Sequence, residues 1–359
     1  MKKVVIFLLY TACAFTFLQC NKIENQGDGI IPIPIWDYSK IAFISRIPQS
    51  NNASWFLFTV DKTGDNKKQI VDMPTTCSKP VCSHSGNKLL FSTLTSDNQH
   101  ELYVVNTDGS ELTLIDSSPV YCGNADWSPD DAHIVYVRRS DPYWNNSELV
   151  LYNMPNKTHQ VLQNKEAISC PKFSPNGKQI AYVKSNGMNQ HIYKIDIKGN
   201  KNQLIISNAF CPNWAPQGGR ITYLSLGVDG SPQIFIANCD GSGQKQLTSS
   251  VSPVWMDTGF PRDGNEDPQW TPDGKQIVYV SWENGKPEIF IMNADGTYQR
   301  RLTTAELRDE NPTITPDGQY ILFSSRKHDM IDGGICVMAL DGSNQQIIYS
   351  RGIHPMPCK

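Results

Sequence analysis

One segment recurs along this 359-residue chain, and no other feature narrows the fold as far. The clearest copy is Pro268-Gln269-Trp270-Thr271-Pro272-Asp273-Gly274-Lys275-Gln276-Ile277-Val278-Tyr279. It holds a proline, an aromatic residue two positions on, a Pro-Asp-Gly turn and an alternating apolar strand. Pro312-Thr313-Ile314-Thr315-Pro316-Asp317-Gly318, Pro212-Asn213-Trp214-Ala215-Pro216, Pro171-Lys172-Phe173-Ser174-Pro175-Asn176-Gly177 and Ala125-Asp126-Trp127-Ser128-Pro129-Asp130 align on it. Pro80-Val81-Cys82-Ser83-His84-Ser85-Gly86 is a degenerate copy. The strand after the turn occurs seven times, beginning at Ile41, Leu89, Ile134, Ile180, Ile221, Ile277 and Ile321, with spacings of 48, 45, 46, 41, 56 and 44. Self-similarity at such a period belongs to repeat architectures.

Each unit continues in the same way. A third strand follows, as in Glu288-Ile289-Phe290-Ile291-Met292-Asn293 and Gln233-Ile234-Phe235-Ile236-Ala237-Asn238. An Asp-Gly turn comes next, at Asp108-Gly109, Asp240-Gly241, Asp295-Gly296 and Asp341-Gly342. Glycine suits that turn because it accepts positive φ without a Cβ clash. A short strand such as Gln246-Leu247-Thr248 or Arg301-Leu302-Thr303 closes the unit. Four antiparallel strands in about 45 residues make one propeller blade. The expected fold is therefore all-β, a seven-bladed β-propeller of four-stranded antiparallel blades. The aromatic residue of each first strand should wedge between blades, and the Asp residues of the Pro-Asp-Gly motifs should form turns and bind no ligand. Two ring closures are open. Ile35-Trp36-Asp37 could begin the first blade, or His354-Pro355-Met356-Pro357-Cys358, which matches the start of a further unit, could clasp it. The clasp is favoured because it leaves no strand edge unpaired.

The Trp-Ser-Pro-Asp-Gly-Lys-x-Ile-x-Tyr pattern, with a downstream Asp-Gly and Leu-Thr, resembles the WD-repeat-like propeller repeats of TolB-type bacterial envelope proteins. The resemblance covers residues 37–359 and implies the fold more strongly than a function. Only residues 20–36 lie between Cys20 and the first blade, so the separate N-terminal α/β domain of TolB is not expected, nor with it a Tol–Pal role.

Lys2 and Lys3 precede an apolar run, Val4 to Leu18, and then Cys20. This is the layout of a secretory signal peptide. Phe17-Leu18-Gln19-Cys20 resembles a bacterial lipobox, with Gln19 where a small residue is usual. The expected organisation is a signal peptide over 1–19, a lipid-anchored linker over 20–36 and the propeller over 37–359. The protein should then sit at the bacterial cell envelope, on the periplasmic or outer-membrane surface, touching the membrane through its lipid alone. Lys plus Arg is 32 against 35 Asp plus Glu, a net charge of −3, so nucleic acid is not an expected partner. A monomer is expected.

Loops after the second and fourth strands of each blade share one face and vary in length. Irregular loops on a rigid scaffold are where function usually resides. On that face Tyr143, Trp144, Trp255 and Phe260 are candidate apolar anchors, and Arg138, Arg262, Asp263, Asp267, Arg326 and His328 would set orientation. The residue three before each blade aromatic should lie near the channel mouth: Lys79, Asn124, Cys170, Cys211, Asp267, Asn311 and, with the clasp, His354. Of the ten cysteines, Cys170 with Cys211 and Cys77 with Cys122 hold matching positions in adjacent blades and are candidate disulfides. No Gly-x-Ser-x-Gly elbow or His-Glu-x-x-His helix occurs. The expected function is recognition of an envelope protein or other envelope component, without catalysis or cofactor. The alternative is a carbohydrate-binding or carbohydrate-cleaving propeller that uses the acidic mouth, where Asp257, Asp263, Glu266, Asp267, Asp309 and Glu310 gather.

Overall fold

Short apolar runs bounded by Pro, Asp and Gly build strands, and every regular element among the described residues is a strand. The computed structural model describes residues 39–46, 55–71, 76–95, 97–140, 146–187, 189–249, 264–283, 285–304, 307–327 and 333–359. The first strands are β1 (Lys40–Arg46), β2 (Trp55–Asp61) and β3 (Lys68–Gln69). Next come β4 (Thr76–Cys77), β5 (Val81–Cys82), β6 (Lys88–Leu94), β7 (His100–Asn106) and β8 (Thr113–Ser118). They are followed by β9 (Tyr121–Trp127), β10 (His133–Arg139), β11 (Ser147–Asn153), β12 (Thr158–Phe173), β13 (Gln179–Asn186), β14 (Asn189–Asp196) and β15 (Gln203–Ile206). Two four-strand runs continue the chain: β16 (Phe210–Trp214), β17 (Arg220–Leu226), β18 (Pro232–Asn238), β19 (Lys245–Gln246), then β20 (Asn265–Trp270), β21 (Gln276–Ser281), β22 (Glu288–Asn293), β23 (Arg300–Arg301). The last are β24 (Arg308–Ile314), β25 (Tyr320–Arg326), β26 (Gly334–Ala339), β27 (Gln346–Tyr349) and β28 (Ile353–Cys358).

These strands form antiparallel four-stranded units, the blades of a β-propeller. β16 to β19, β20 to β23 and β24 to β27 each pair in chain order. In one unit the innermost strand is split, so that β4 and β5 both pair with β6. The 16-residue β12 is continuous through two units, pairing with β11 at one end and β13 at the other, which merges them into one seven-stranded sheet. The C-terminal β28 pairs with β1, in the register Lys40 to Cys358 and Ala42 to Met356. The chain's end thus supplies the inner strand of the first blade.

Adjacent blades pack face to face. Val150 and Ile134 of one unit meet Leu90 and Leu102 of the unit before it. The last blade closes on the first through Leu322, Ile335 and Val337 against Ile41, Phe43 and Phe58. The first-strand aromatics are the wedges. Trp127, Phe173, Trp214 and Trp270 are no more than 8% exposed. Each indole also reaches back into the preceding blade, Trp127 Nε1 donating to the Val81 carbonyl at 3.2 Å and Trp214 Nε1 to that of Lys172 at 3.1 Å. Trp270 Nε1 donates to Thr222 Oγ1 at 3.1 Å. A buried indole N–H needs such an acceptor, and its position ties one blade to the next.

The turns follow one chemistry. Asp273 accepts from the Thr271 hydroxyl at 2.6 Å and the Lys275 amide at 3.0 Å. Asp130 and Asp317 do the same with Ser128 and Thr315, both at 2.5 Å. These carboxylates are committed to the backbone, and the hydroxyl and amide donors hold Asp130 and Asp273 below the usual range. At Gly241, φ is +87°, and a Cβ there would strike the Ile205 carbonyl of the preceding blade.

Candidate functional site

The position three before each blade aromatic has a distinct backbone. Asn124, Cys170, Cys211, Asp267, Asn311 and His354 all have positive φ, between 49° and 56°. At each one the pairing with the second strand skips, as between Val135 and Val137 opposite Asn124 and between Glu266 and Gln269 around Asp267. These are β-bulges. A bulge adds an unpaired residue and re-aims its side chain, and Asn and Asp tolerate the left-handed region better than most residues. Cys and His at the same positions are less usual. Lys79 holds the equivalent place in the gap between β4 and β5.

The bulge residues converge. The charge on Lys79 feels Asp267 and Lys172, and His354 feels Lys79 and Arg326, although these five residues come from five different units. Lys79 is open to solvent yet walled by protein on most sides, and that withdrawal from water lowers its ammonium below the usual lysine range. Burial, with Lys79 and Arg326 close by, pushes His354 down to about 4, so its ring is neutral at pH 7. Its Nδ1 is buried without a hydrogen-bond partner. The His354 amide donates to Ser324 Oγ at 3.0 Å, and that hydroxyl stands 3.4 Å from Asn311 Oδ1, so these two bulges share one serine. Lys172 is paired with Asp126 at 3.0 Å, and Asp126 also accepts from the Phe173 amide at 2.9 Å.

The candidate cations at the loop ends are engaged. Arg138 donates to Asp116 and Glu148, both at 2.8 Å. Arg326 grips Glu310 at 2.9 Å, and Arg308 shares that carboxylate at 3.1 Å. The Arg308 guanidinium also lies 4.8 Å from the centre of the Trp282 ring, whose Nε1 donates to Glu266 at 2.8 Å. The acidic gathering therefore divides. Glu266 and Glu310 are held in this chain of contacts, Asp309 is fully buried, and Asp267 alone of the four is exposed. Arg308, Trp282, Asp126 and Lys172 had no sequence signal of their own, because their roles come from partners on neighbouring strands. Among the described residues, no group of three or more His, Cys, Asp or Glu is placed to hold a metal ion.

The cysteines separate in the same way. Cys170 and Cys211 are brought together, with their sulfurs 4.0 Å apart and unbonded. Cys77 and Cys122 correct the second candidate disulfide: the two are buried in different core clusters and are not bonded to each other. Their position, five before the aromatic, faces the packing between blades and not the mouth. The expectations for Cys20, Tyr143, Trp144, Trp255, Phe260, Arg262, Asp263 and His328, and for Asp257 among the acids, fall outside the described residues.

Comparison with known proteins agrees with this architecture. The chain is similar to the Tol-Pal system protein TolB of Francisella tularensis subsp. mediasiatica, with 27% identity over 260 residues, 68% of this chain and 55% of that protein. It therefore spans little more than half the length of that relative. Among solved structures it is similar to TolB from Acinetobacter baumannii, with 18% identity and a TM-score of 0.56 over 88% of this chain and 82% of the other. It is also similar to an oligogalacturonate lyase in complex with manganese, with 15% identity and a TM-score of 0.62 over 87% and 86% of the two chains. At such identities the likeness to solved structures is one of fold. Residues 155–357, more than half of the chain, match the TolB beta propeller domain, and the protein belongs to that family.

Proposed function

We propose that this protein is a seven-bladed propeller of the bacterial cell envelope, lipid-anchored at Cys20, that recognises an envelope protein through its channel mouth and irregular loop face without catalysis. The blade count takes β12 twice, as the last strand of one blade and the first of the next, and assigns β28 to the first blade. The observation that carries the functional reading is the convergence of bulge side chains from separate blades. Lys79 and Asp267 bring both charge signs within electrostatic reach of each other, and the neutral His354 lies close to Lys79, while Arg138 and Arg326 are held in ion pairs. A patterned polar surface on a rigid ring is suited to choosing one partner over others. The irregular loops around it would add apolar anchors such as Trp255 and Phe260, with Arg262 and Asp263 beside them. Membership in the TolB propeller family supports an envelope protein as the partner class.

The test is a pull-down from detergent-solubilised envelope with immobilised protein, beside a Lys79→Ala, Asp267→Ala variant of matched melting temperature. A protein retained by the wild type and lost by the variant is the expected result. Retention of an oligosaccharide and of no protein would replace this reading with the carbohydrate one.

A further inference from the structure

Two of the bulge residues are cysteines, and they are neighbours. Cys170 on β12 and Cys211 on β16 stand at the same position of consecutive inner strands, both with φ of 49°. Without the bulge, strand alternation would direct one or both towards the packing between blades, as happens at Cys77 and Cys122. With it, the two sulfurs face each other at 4.0 Å. Cys211 is exposed and Cys170 half-buried, so reagents in the channel reach the pair. Of the other described cysteines, Cys77, Cys122, Cys336 and Cys358 are buried.

The surroundings favour one thiolate and one thiol. The two sulfurs share one S–H, and the Lys172 ammonium acts on both. Contact between the two sulfurs, with Lys172 beside them, lowers Cys170 below the usual thiol range and raises Cys211 above it. The other groups facing the pair are Asp126, which fixes Lys172, together with Tyr121, Glu266 and Asp267. A thiolate is the nucleophile of disulfide exchange, and a second thiol within reach resolves the mixed disulfide.

We propose that Cys170 and Cys211 form a reversible dithiol–disulfide site at the channel mouth, oxidised by exchange with a disulfide-bearing molecule. The Cys170 thiolate attacks one sulfur of the incoming disulfide. A bond forms between Cys170 and that sulfur, the incoming S–S bond breaks, and the released thiolate takes a proton. Cys211 then loses its proton and attacks Cys170 Sγ, expelling the second thiolate, which is protonated in turn. Two thiols of the protein have given two electrons, and one small disulfide has become two thiols. Closing the bond brings the sulfurs about 2 Å nearer, to the S–S length of about 2.0 Å, through side-chain rotation at the two bulges. Oxidation links two blades at the mouth and removes the negative charge beside Lys172, so the site couples the redox state of the compartment to the surface proposed for recognition. It rests on that reading only for its consequence.

The experiment equilibrates the full chain with mixtures of reduced and oxidised glutathione, quenches with acid, alkylates free thiols and maps the peptides by mass. The expected result is a Cys170–Cys211 cross-linked peptide that grows with the oxidised fraction and reverts with the reduced one. In Cys211→Ala, Cys170 should accumulate as the glutathione adduct, since nothing resolves it. Alkylation of Cys170 at pH 7 should also slow by about tenfold in that variant, because Cys170 has lost the neighbouring sulfur whose contact lowers it. Both residues recovered as separate adducts or free thiols at every ratio, or an alkylation rate unchanged in Cys211→Ala, would overturn the proposal. Failure of the pull-down above would leave these outcomes unaffected.

Discussion

Trp127→Ala tests whether the repeat aromatics hold the ring together. Trp127 is 1% exposed and shares one core cluster with Leu90 and Leu102 of the preceding blade and Ile134 and Tyr136 of its own. A tryptophan side chain buries about 150–250 Å², which at about 25 cal/mol per Å² is roughly 4–6 kcal/mol. A compact unfolded chain already hides part of that area, and measured losses for Trp→Ala run to about 3–5 kcal/mol. A loss of about 4 kcal/mol is therefore expected. Trp127→Phe keeps most of the packing but removes the Nε1 donor to the Val81 carbonyl, 3.2 Å away in the preceding blade. With one buried acceptor stranded and a little volume lost, about 2 kcal/mol is expected. Tyr298→Ala is the control: at 83% exposure it should change stability by less than about 0.5 kcal/mol. The assay is urea unfolding followed by far-ultraviolet circular dichroism, which the loss of one indole does not distort. With a slope of about 3 kcal/mol per molar, the Trp127→Ala midpoint should fall by more than about 1 M at unchanged slope. A midpoint matching that of Tyr298→Ala would refute the wedge. A Trp127→Phe protein as stable as wild type would show that area matters there and the inter-blade hydrogen bond does not.

Other perturbations probe the remaining features. Gly241→Ala should destabilise by more than about 3 kcal/mol, because φ is +87° and the new Cβ strikes the Ile205 backbone. Gly187→Ala, at +62° with nothing within 4 Å, should lose only about 1–2 kcal/mol in the same unfolding assay. Deleting residues 353–359 removes the strand paired with β1 and the buried Cys358, and should produce association by gel filtration together with an earlier, broader melt. A sharp melt at the wild-type temperature would mean that β28 does not close the ring. Burial pushes the Asp309 carboxyl up to about 6. A raised acid penalises the fold where it must ionise, so that penalty is absent below about pH 4, grows between about 4 and 6 and is complete above. Asp309→Asn should therefore melt higher than wild type at pH 7.5, by about 2–3 kcal/mol equivalent, with the difference vanishing near pH 4. A difference independent of pH would refute the assignment.

The legible part of this protein is local and repeated. A run of about twelve residues such as Pro268 to Tyr279 contains its own instructions. Asp273 closes the turn with Thr271 and Lys275 a few positions away, and the alternation of Ile277 and Tyr279 sends one face into the core. Because the same run recurs, aligning the copies also placed Asn124, Cys170, Cys211, Asp267, Asn311 and His354 in one column, and that column is the bulge. The left-handed backbone at those residues left no mark in the sequence. Asn and Asp alone would have hinted at it, but Cys and His do not.

What the site does chemically was not legible, for a related reason. Arg138 and Arg326 read as free cations, yet their carboxylate partners sit 10 to 22 residues away, on a paired strand for Glu148 and Glu310 and in the neighbouring sheet for Asp116. Cys77 and Cys122 match in sequence position but face different cores, whereas Cys170 and Cys211 match and meet. By itself, then, the sequence determined the blade and its turns, because each depends on neighbours within one repeat, and it marked the wedge residues by their fixed place in the repeat. The tertiary structure alone decided how β28 closes the ring, which charges remain unspent and which thiols touch. Those depend on the register between strands and on how one repeat is set against the next.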